Sequence, residues 1–389
     1  MRDTATDVVN GDHQCLIHAT SLEKIVRECL QDHRARVEQW QLRAITSSLG
    51  LATGGLYWIS ETAQVRTGRA NWTVVLKIVR PPHGSRHAAA AQDPAHWAYW
   101  RREPLAYASG LLHDLPAGLV APRCFGVEHK HSGVPEDWLW LEAVSDRSDG
   151  DWSHAQYVRT ARLLGAFNGA SLYQRSLPQY PWLGNGYLAQ RIERSDADGG
   201  LPLLGDAATW RHEVVARWFP PDTGDRLAAL WALRHALVHR LGQLPPVLRH
   251  GDSHRRNMLV PQRATQADND ERVAAIDWGT MGIGPLGADL TDLVLGRFAG
   301  ESRVPTDSSR STEPLYHAYL GGVQASGWHD DPHMVRLGYT GTAALVGISL
   351  LHWMLARALQ SAEKTAAQGS AAVVSPQLAG WAALARYLV

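Results

Sequence analysis

The chain has 389 residues, with 38 Lys and Arg against 38 Asp and Glu and a formal net charge of zero when its histidines are neutral. That length buries a large core and suits two lobes or domains, while the balanced charge argues against a basic nucleic-acid surface, a polybasic membrane tail or a strongly acidic body. Three cysteines, Cys15, Cys29 and Cys124, stand far apart without a Cys-x-x-Cys pair, which reads as buried thiols in a reducing compartment.

The first 19 residues are polar and lack the apolar core of a signal peptide, so the protein is expected to be soluble and cytoplasmic. Thr20-Ser21-Leu22-Glu23 has the form of a capping box. Behind it Leu22, Ile25, Val26, Cys29 and Leu30 recur at helical spacing and predict a short amphipathic helix. Gly50, Gly54 and Gly55 then punctuate a turn between expected strands. Glycines there would let backbone N–H groups approach a phosphate. Their spacing is neither Gly-x-Gly-x-x-Gly nor a Walker A motif, and a plain hairpin turn explains them nearly as well.

Residues 72–79 read as a buried strand ended by Pro81-Pro82. Period-two alternation places Lys77 on the face of Val75 and Val79, opposite Trp72, Val74, Leu76 and Ile78. With both faces apolar, the ammonium must be buried beside a partner or reach into a cleft. Residues 83–95 form a connector, and a helical pattern runs from Pro104 to about Leu112. Glu103 is the candidate partner of Lys77, with Glu61 and Glu128 as alternatives. Pro104 disfavours helical geometry at Glu103, so the helix is expected to start or kink there. Two further strands are expected near 123–128 and 138–144. The second carries Glu142 and Val144 and would connect the lobes, its backbone facing an adenine edge.

Beyond a polar linker at 146–151 the pattern turns helical, most clearly at 155–171 and 225–241. The Pro-, Gly- and Trp-rich stretch 177–222 resists assignment, and helices are expected again within 315–320, 334–357 and 376–388. The most apolar stretch, 343–359, contains His352 and Arg357 and falls short of a membrane span. Nineteen histidines cluster only as His83 with His87 and His129 with His131, without a metal-ligand spacing. The expected architecture is α+β: a β-rich lobe over 1–144, a helical lobe over 145–389, and a ligand cleft between them.

The most informative residues are His250-Gly251-Asp252-Ser253-His254-Arg255-Arg256-Asn257, followed by Ile276-Asp277-Trp278-Gly279. Gly251 would allow a sharp backbone path that aims Asp252 into the cleft. Met258-Leu259-Val260 and Val273-Ala274-Ala275-Ile276 pair naturally as a hairpin across the polar insert 261–272, which would set Asn257 beside Asp277. Two carboxylates and an amide in this order suit phosphoryl transfer: Asp252 as the base on an acceptor hydroxyl, Asn257 and Asp277 as Mg²⁺ ligands, and Lys77 on the phosphates. Asp289 is read as structural, capping a helix and bracing the loop from below.

These motifs resemble the aminoglycoside phosphotransferase and choline kinase-like family of small-molecule kinases. The resemblance rests on His-Gly-Asp-x-x-x-x-Asn at 250–257, Ile-Asp-Trp-Gly at 276–279 and Gly-x-Asp-Leu at 287–290. It also takes in Arg102, Glu103 and Tyr107, and Leu141-Glu142. It implies a bilobal protein-kinase-like fold, ATP or GTP as donor, Mg²⁺, and transfer of the γ-phosphoryl group to a small-molecule hydroxyl. A monomer or homodimer is expected, and the charge balance and hydropathy predict no nucleic-acid or membrane partner. On that template acceptor recognition falls to the helical lobe, pointing to 177–222 with Trp182, Trp210 and Trp218, where core packing is the competing explanation. The basic Arg255-Arg256 pair and the long insert 261–272 depart from the family pattern. Two other functions are less well supported. A protein kinase would carry His-Arg-Asp, Asp-Phe-Gly and Ala-Pro-Glu, whereas here Gly251 and Trp278 interrupt the first two and the third is missing. A nucleotide-binding pseudoenzyme would be expected to lack one of Lys77, Asp252, Asn257 or Asp277.

Overall fold

Helix α1 (Ala19–Leu30) opens the fold, with its buried face of Leu22, Ile25 and Val26 lying against a strongly curved antiparallel sheet. The computed structural model describes residues 17–45, 50–131, 133–147, 152–261, 272–300, 308–367 and 377–388. The anticipated capping box is not made: His18 is the N-cap and Thr20 already lies inside the first turn, so burial rather than capping holds α1. The sheet comprises β1 (Arg36–Val37), β2 (Gln41–Ala44), β3 (Thr53–Val65), β4 (Gly68–Val79) and, after helix α2 (Arg102–Ala108) and β5 (Leu119–Val120), β6 (Cys124–Lys130) and β7 (Glu136–Glu142). Its order is β1-β3-β4-β7-β6, with β2 also pairing β3. Alternation along β4 works as the sequence implies. Trp72, Val74, Leu76 and Ile78 bury on one face with Trp138, Trp140 and the α1 side chains, leaving the other face to Val75 and Lys77.

Two expectations change here. Gly54 and Gly55 belong to strand β3 rather than to a turn, and the β3–β4 register shifts between Thr53 and Gly55. Helix α2 begins at Arg102, so Pro104 sits in its first turn, where its missing N–H has no helical partner to lose. Glu103 is therefore helical. Cys29 and Cys124 form no disulfide and are half-buried, while Cys15 lies outside the described residues.

The helical part begins with α3 (His154–Tyr173), capped by a reciprocal Ser153–Gln156 box. The Trp-rich stretch resolves into four short helices, α4 (Tyr187–Ala197), α5 (Pro202–Gly205), α6 (Ala207–Arg211) and α7 (Glu213–Ala216). The helix expected over 225–241 divides at Leu233 into α8 (Thr223–Ala232) and α9 (Arg234–Leu241). Then come β8 (Pro246–Arg249), β9 (Met258–Leu259), β10 (Val273–Ala275) and β11 (Gly282–Pro285), followed by α10 (Ala288–Gly300), α11 (Ser308–Ala325), α12 (Pro332–Ala367) and α13 (Gln377–Leu388). β9 and β10 form the anticipated antiparallel hairpin; most of its insert, 262–271, lies outside the described residues. β5 adds to β10 in parallel, so residues 119–120 are hydrogen-bonded to the motif region.

By length and composition α12 could cross a membrane. Its Val335, Tyr339, Leu345, Leu351 and Leu355 are nevertheless buried in a large core shared with α3, α10 and α13.

Candidate active site

Strand β8 ends at Arg249, and the chain turns at Gly251 with φ of 85°. A Cβ at Gly251 would lie 2.3 Å from the Thr280 carbonyl oxygen, so both the backbone angle and the space require glycine. Asp289, buried at the start of α10, holds this turn. Its Oδ2 accepts the His250 N–H at 2.8 Å and the Asn168 side-chain amide at 2.9 Å, and its Oδ1 accepts the Gly251 N–H at 2.9 Å. Ser253 Oγ adds a 2.6 Å bond to the Asp289 carbonyl.

His250 is fully buried against Trp278, their ring centroids 4.5 Å apart. Burial pushes its imidazole below the usual histidine range. The neutral ring fits its partners: Nε2–H donates to the Ile276 carbonyl at 3.0 Å, and Nδ1 accepts the Asp252 N–H at 3.2 Å.

The hairpin brings Asn257 and Asp277 into one cleft. Asn257 turns its Nδ2 onto the Asp252 carbonyl and Oδ2, at 3.0 and 2.8 Å, which leaves its amide oxygen as the group able to meet a cation. Asp277 adopts φ 62° and ψ 63°, a left-handed conformation uncommon for a residue other than glycine, and strain of this kind concentrates at functional sites. Its Oδ1 accepts from Lys77 Nζ at 2.8 Å, and Glu103 Oε2 lies 2.5 Å from the same ammonium. Glu103 is thus the partner of Lys77. Of its alternatives, Glu128 is engaged by Trp140 Nε1 and Lys130, and Glu61 lies opposite Trp72 in the β3–β4 ladder.

Burial works against charge on Lys77, but Asp277 and Glu103 outweigh it and hold the ammonium protonated. Lys77 holds the Asp277 carboxyl below the usual carboxylate range, while burial raises that of Glu103. One buried cation between two carboxylates leaves a net negative charge. Such a site suits an added cation.

Two cavities meet at Asp252. One, of about 660 Å³, lies between the sheet and the helical part and is lined by Lys77, Glu103, Glu142, Val144, Asn257 and Asp277, with Gly50 and Thr53 from the β2–β3 connection. Gly54 and Gly55 are not in this lining. Added Cβ atoms there would press on Arg80 at 2.9 Å and Tyr57 at 2.6 Å, so these glycines accommodate neighbouring side chains of the sheet. Glu142 spends its N–H on the Arg123 carbonyl at 2.8 Å and its carboxylate on the Arg123 N–H at 3.0 Å. The second cavity, of about 850 Å³, lies between the loop and α4, α10 and α12. Asp252, His254 and Arg256 line both.

The profile of a phosphotransferase enzyme family matches residues 55–329, the span that contains Lys77, Glu103, Glu142, Asp252, Asn257 and Asp277. The chain belongs to this phosphotransferase family. Among solved structures it is similar to amicoumacin kinase in complex with AMP-PNP, Ca²⁺ and its ligand, at 15% identity over 87% of this chain and 89% of that one, TM-score 0.47. It is also similar to an aminoglycoside phosphotransferase, APH(3'')-Id, from Streptomyces rimosus, at 17% identity over 85% and 98%, TM-score 0.41. A choline kinase from Cryptosporidium parvum aligns at 13% identity over 94% and 99%, TM-score 0.45. No curated protein sequence matches the chain.

In this phosphotransferase the Trp-rich stretch is mostly packing. Trp182 and Trp210 are buried in the large core, with Trp210 Nε1 bonded to the Leu204 carbonyl at 2.9 Å, and Trp218 packs against the same core. None of the three lines either cavity. The indoles that do so, in the second cavity, are Trp97, Trp353 and Trp381. Asp292 and Arg191, also in that lining, carried no motif signal. The face of α12 did: Val346, Leu350, Trp353, Met354 and Arg357 recur at helical spacing. Of the two loop arginines, Arg255 pairs with Asp146 at 2.8 Å, and only Arg256 faces the cavities. Among the described residues, no three His, Cys, Asp or Glu side chains converge to hold a metal by themselves.

Proposed function

We propose that the chain is an ATP- or GTP-dependent O-phosphotransferase that moves a γ-phosphoryl group to a hydroxyl of a small molecule. One observation carries the reading: Asp252 stands where the two cavities join, so a single carboxylate reaches both a nucleotide and an acceptor. The smaller cavity takes the nucleotide. Its base lies against the connector at Glu142 and Val144, and Lys77, steadied by Glu103, meets the phosphates. Mg²⁺, when bound, would draw on the Asn257 amide oxygen, Asp277 and phosphate oxygens, and would neutralise charge on the transferring group; two protein ligands are enough when phosphates supply the rest. The larger cavity takes the acceptor. Its hydroxyl oxygen bonds to the γ-phosphorus as the bond to the bridging oxygen breaks, the nucleoside diphosphate leaves, and the hydroxyl proton passes to Asp252. The Asn257 amide on Asp252 Oδ2 fixes the orientation of that carboxylate. In this reading residues 1–144 serve the nucleotide, and residues 145–389 carry the base, the metal site and the acceptor site, to whose lining Trp97 adds an indole.

Asp252→Asn tests the assignment. It should fold normally, bind nucleotide, and lose roughly 10²–10⁴-fold in turnover, the usual range for a positioned base. Full activity in that variant would remove Asp252 from its role.

A further inference from the structure

The larger cavity carries chemistry of its own, and its reading rests on the proposed phosphotransfer. One wall is a continuous apolar stripe of α12, formed by Val346, Leu350, Trp353, Met354 and Ala358, and Trp353 is half exposed to the cavity space. The Arg357 guanidinium lies over this indole, 4.8 Å from the ring centroid, and half of the side chain stays exposed.

The charged lining is weighted toward cations. Arg191, Arg256 and Arg357 face Asp252 and Asp292. Asp292 is already approached by buried Arg249 at 3.7 Å, and burial raises its carboxyl well above the usual range.

Two buried polar atoms in this lining have no hydrogen-bond partner among the described residues: Asp292 Oδ2 and Arg191 Nε. One side chain can accept, or donate when protonated, and the other donates. Orphaned polar atoms in a cavity wall mark where water or a ligand completes the bonding.

We propose that the acceptor is a hydroxylated compound with an apolar or aromatic body, neutral or singly anionic, which sets one polar group against Asp292 and Arg191 and its apolar body on α12. A molecule bearing several ammonium groups would have to place them among three guanidinium groups, one of which, Arg357, already lies over the Trp353 ring.

The test measures occupancy of the wild-type protein by quenching of tryptophan fluorescence, using three probes: chloramphenicol (a neutral aromatic diol), 12-hydroxydodecanoate (an apolar anionic alcohol) and kanamycin (a polycation). Mg·ATP binding is measured separately by calorimetry. Saturable binding is expected for at least one of the first two, and none for kanamycin. Trp353→Ala should weaken the bound apolar probe about tenfold, as expected for losing a buried aromatic contact. Arg357→Glu, at an exposed position, should improve kanamycin binding. Tighter binding of kanamycin than of both apolar probes, or no saturable binding of either apolar probe, overturns the inference. A protein that binds an apolar probe but not Mg·ATP sinks the kinase reading alone, whereas one that binds Mg·ATP and prefers kanamycin sinks only this one.

Discussion

Replacing Asp289 with Asn should damage both stability and turnover, although Asp289 lines neither cavity. Its carboxylate accepts three N–H groups, two on Oδ2 and one on Oδ1. An amide offers one oxygen. The less costly orientation keeps that oxygen on His250 and Asn168 and points the new NH₂ at the Gly251 N–H, leaving one buried backbone donor unpaired. Losing a charge-assisted bond costs about 1.5–3 kcal/mol and stranding the donor about 1–3 kcal/mol, so a loss of about 4 kcal/mol is expected. Buried Arg249, 3.6 Å from Oδ1, also loses a charged partner. Because the released turn carries Asp252, a shift of about 1 Å in this proposed base would lower turnover on the order of 10²-fold. Urea unfolding and steady-state release of nucleoside diphosphate report the two effects. A stability change under about 0.5 kcal/mol with unaltered turnover would refute the bracing argument, since that is the scatter of an ordinary surface substitution.

Gly251→Ala should cost at least about 2 kcal/mol in unfolding experiments, because a side chain is disfavoured at this φ and its Cβ would meet the Thr280 carbonyl; a neutral result would mean that the turn can re-form. Glu103→Gln keeps the fold of α2 but removes one of the two carboxylates on Lys77, and nucleotide affinity measured by calorimetry should fall about tenfold, roughly 1.4 kcal/mol. Affinity equal to wild type would show that Asp277 alone steadies the ammonium. His250 titrates below its unfolded value of about 6.5. As pH falls through about 6.5 the unfolded chain gains a proton that the folded chain refuses, so this contribution is complete above that pH and is lost as pH drops toward the folded value. Urea midpoints at pH 7.5 and 5.5 should therefore differ less in His250→Asn than in wild type; an equal difference would assign the acid sensitivity to other groups.

Local pattern was enough to place Lys77 on the inner face of its strand, because side chains alternate strictly along a strand and its neighbours are all apolar. It was also enough to pair 258–260 with 273–276, since two apolar runs joined by a polar insert close as a hairpin, and that pairing put Asn257 beside Asp277. The motif block at 250–290 and the α+β architecture were legible for the same reason: they depend on contacts close in sequence or on fixed periodicity. Gly54 and Gly55 misled, because a glycine required by an approaching Arg80 or Tyr57 side chain looks in sequence like one required by a turn. The tryptophans of 177–222 were ambiguous, since an indole buried among helices and one lining a pocket carry the same letter.

What the chain alone determined was therefore the identity of the polar residues that line the cleft and the strand, turn or loop that carries each. Their convergence was decided in three dimensions. Glu103 reaches Lys77 only because α2 docks against β6, β7 and the turn at 278–280, and Asp277 accepts a left-handed backbone where Lys77 and the hairpin hold it. Asp252 becomes the meeting point of two cavities only when α12, about 100 residues downstream, closes the second one. Contacts between distant segments depend on how whole helices pack, and no periodicity within any one segment encodes that.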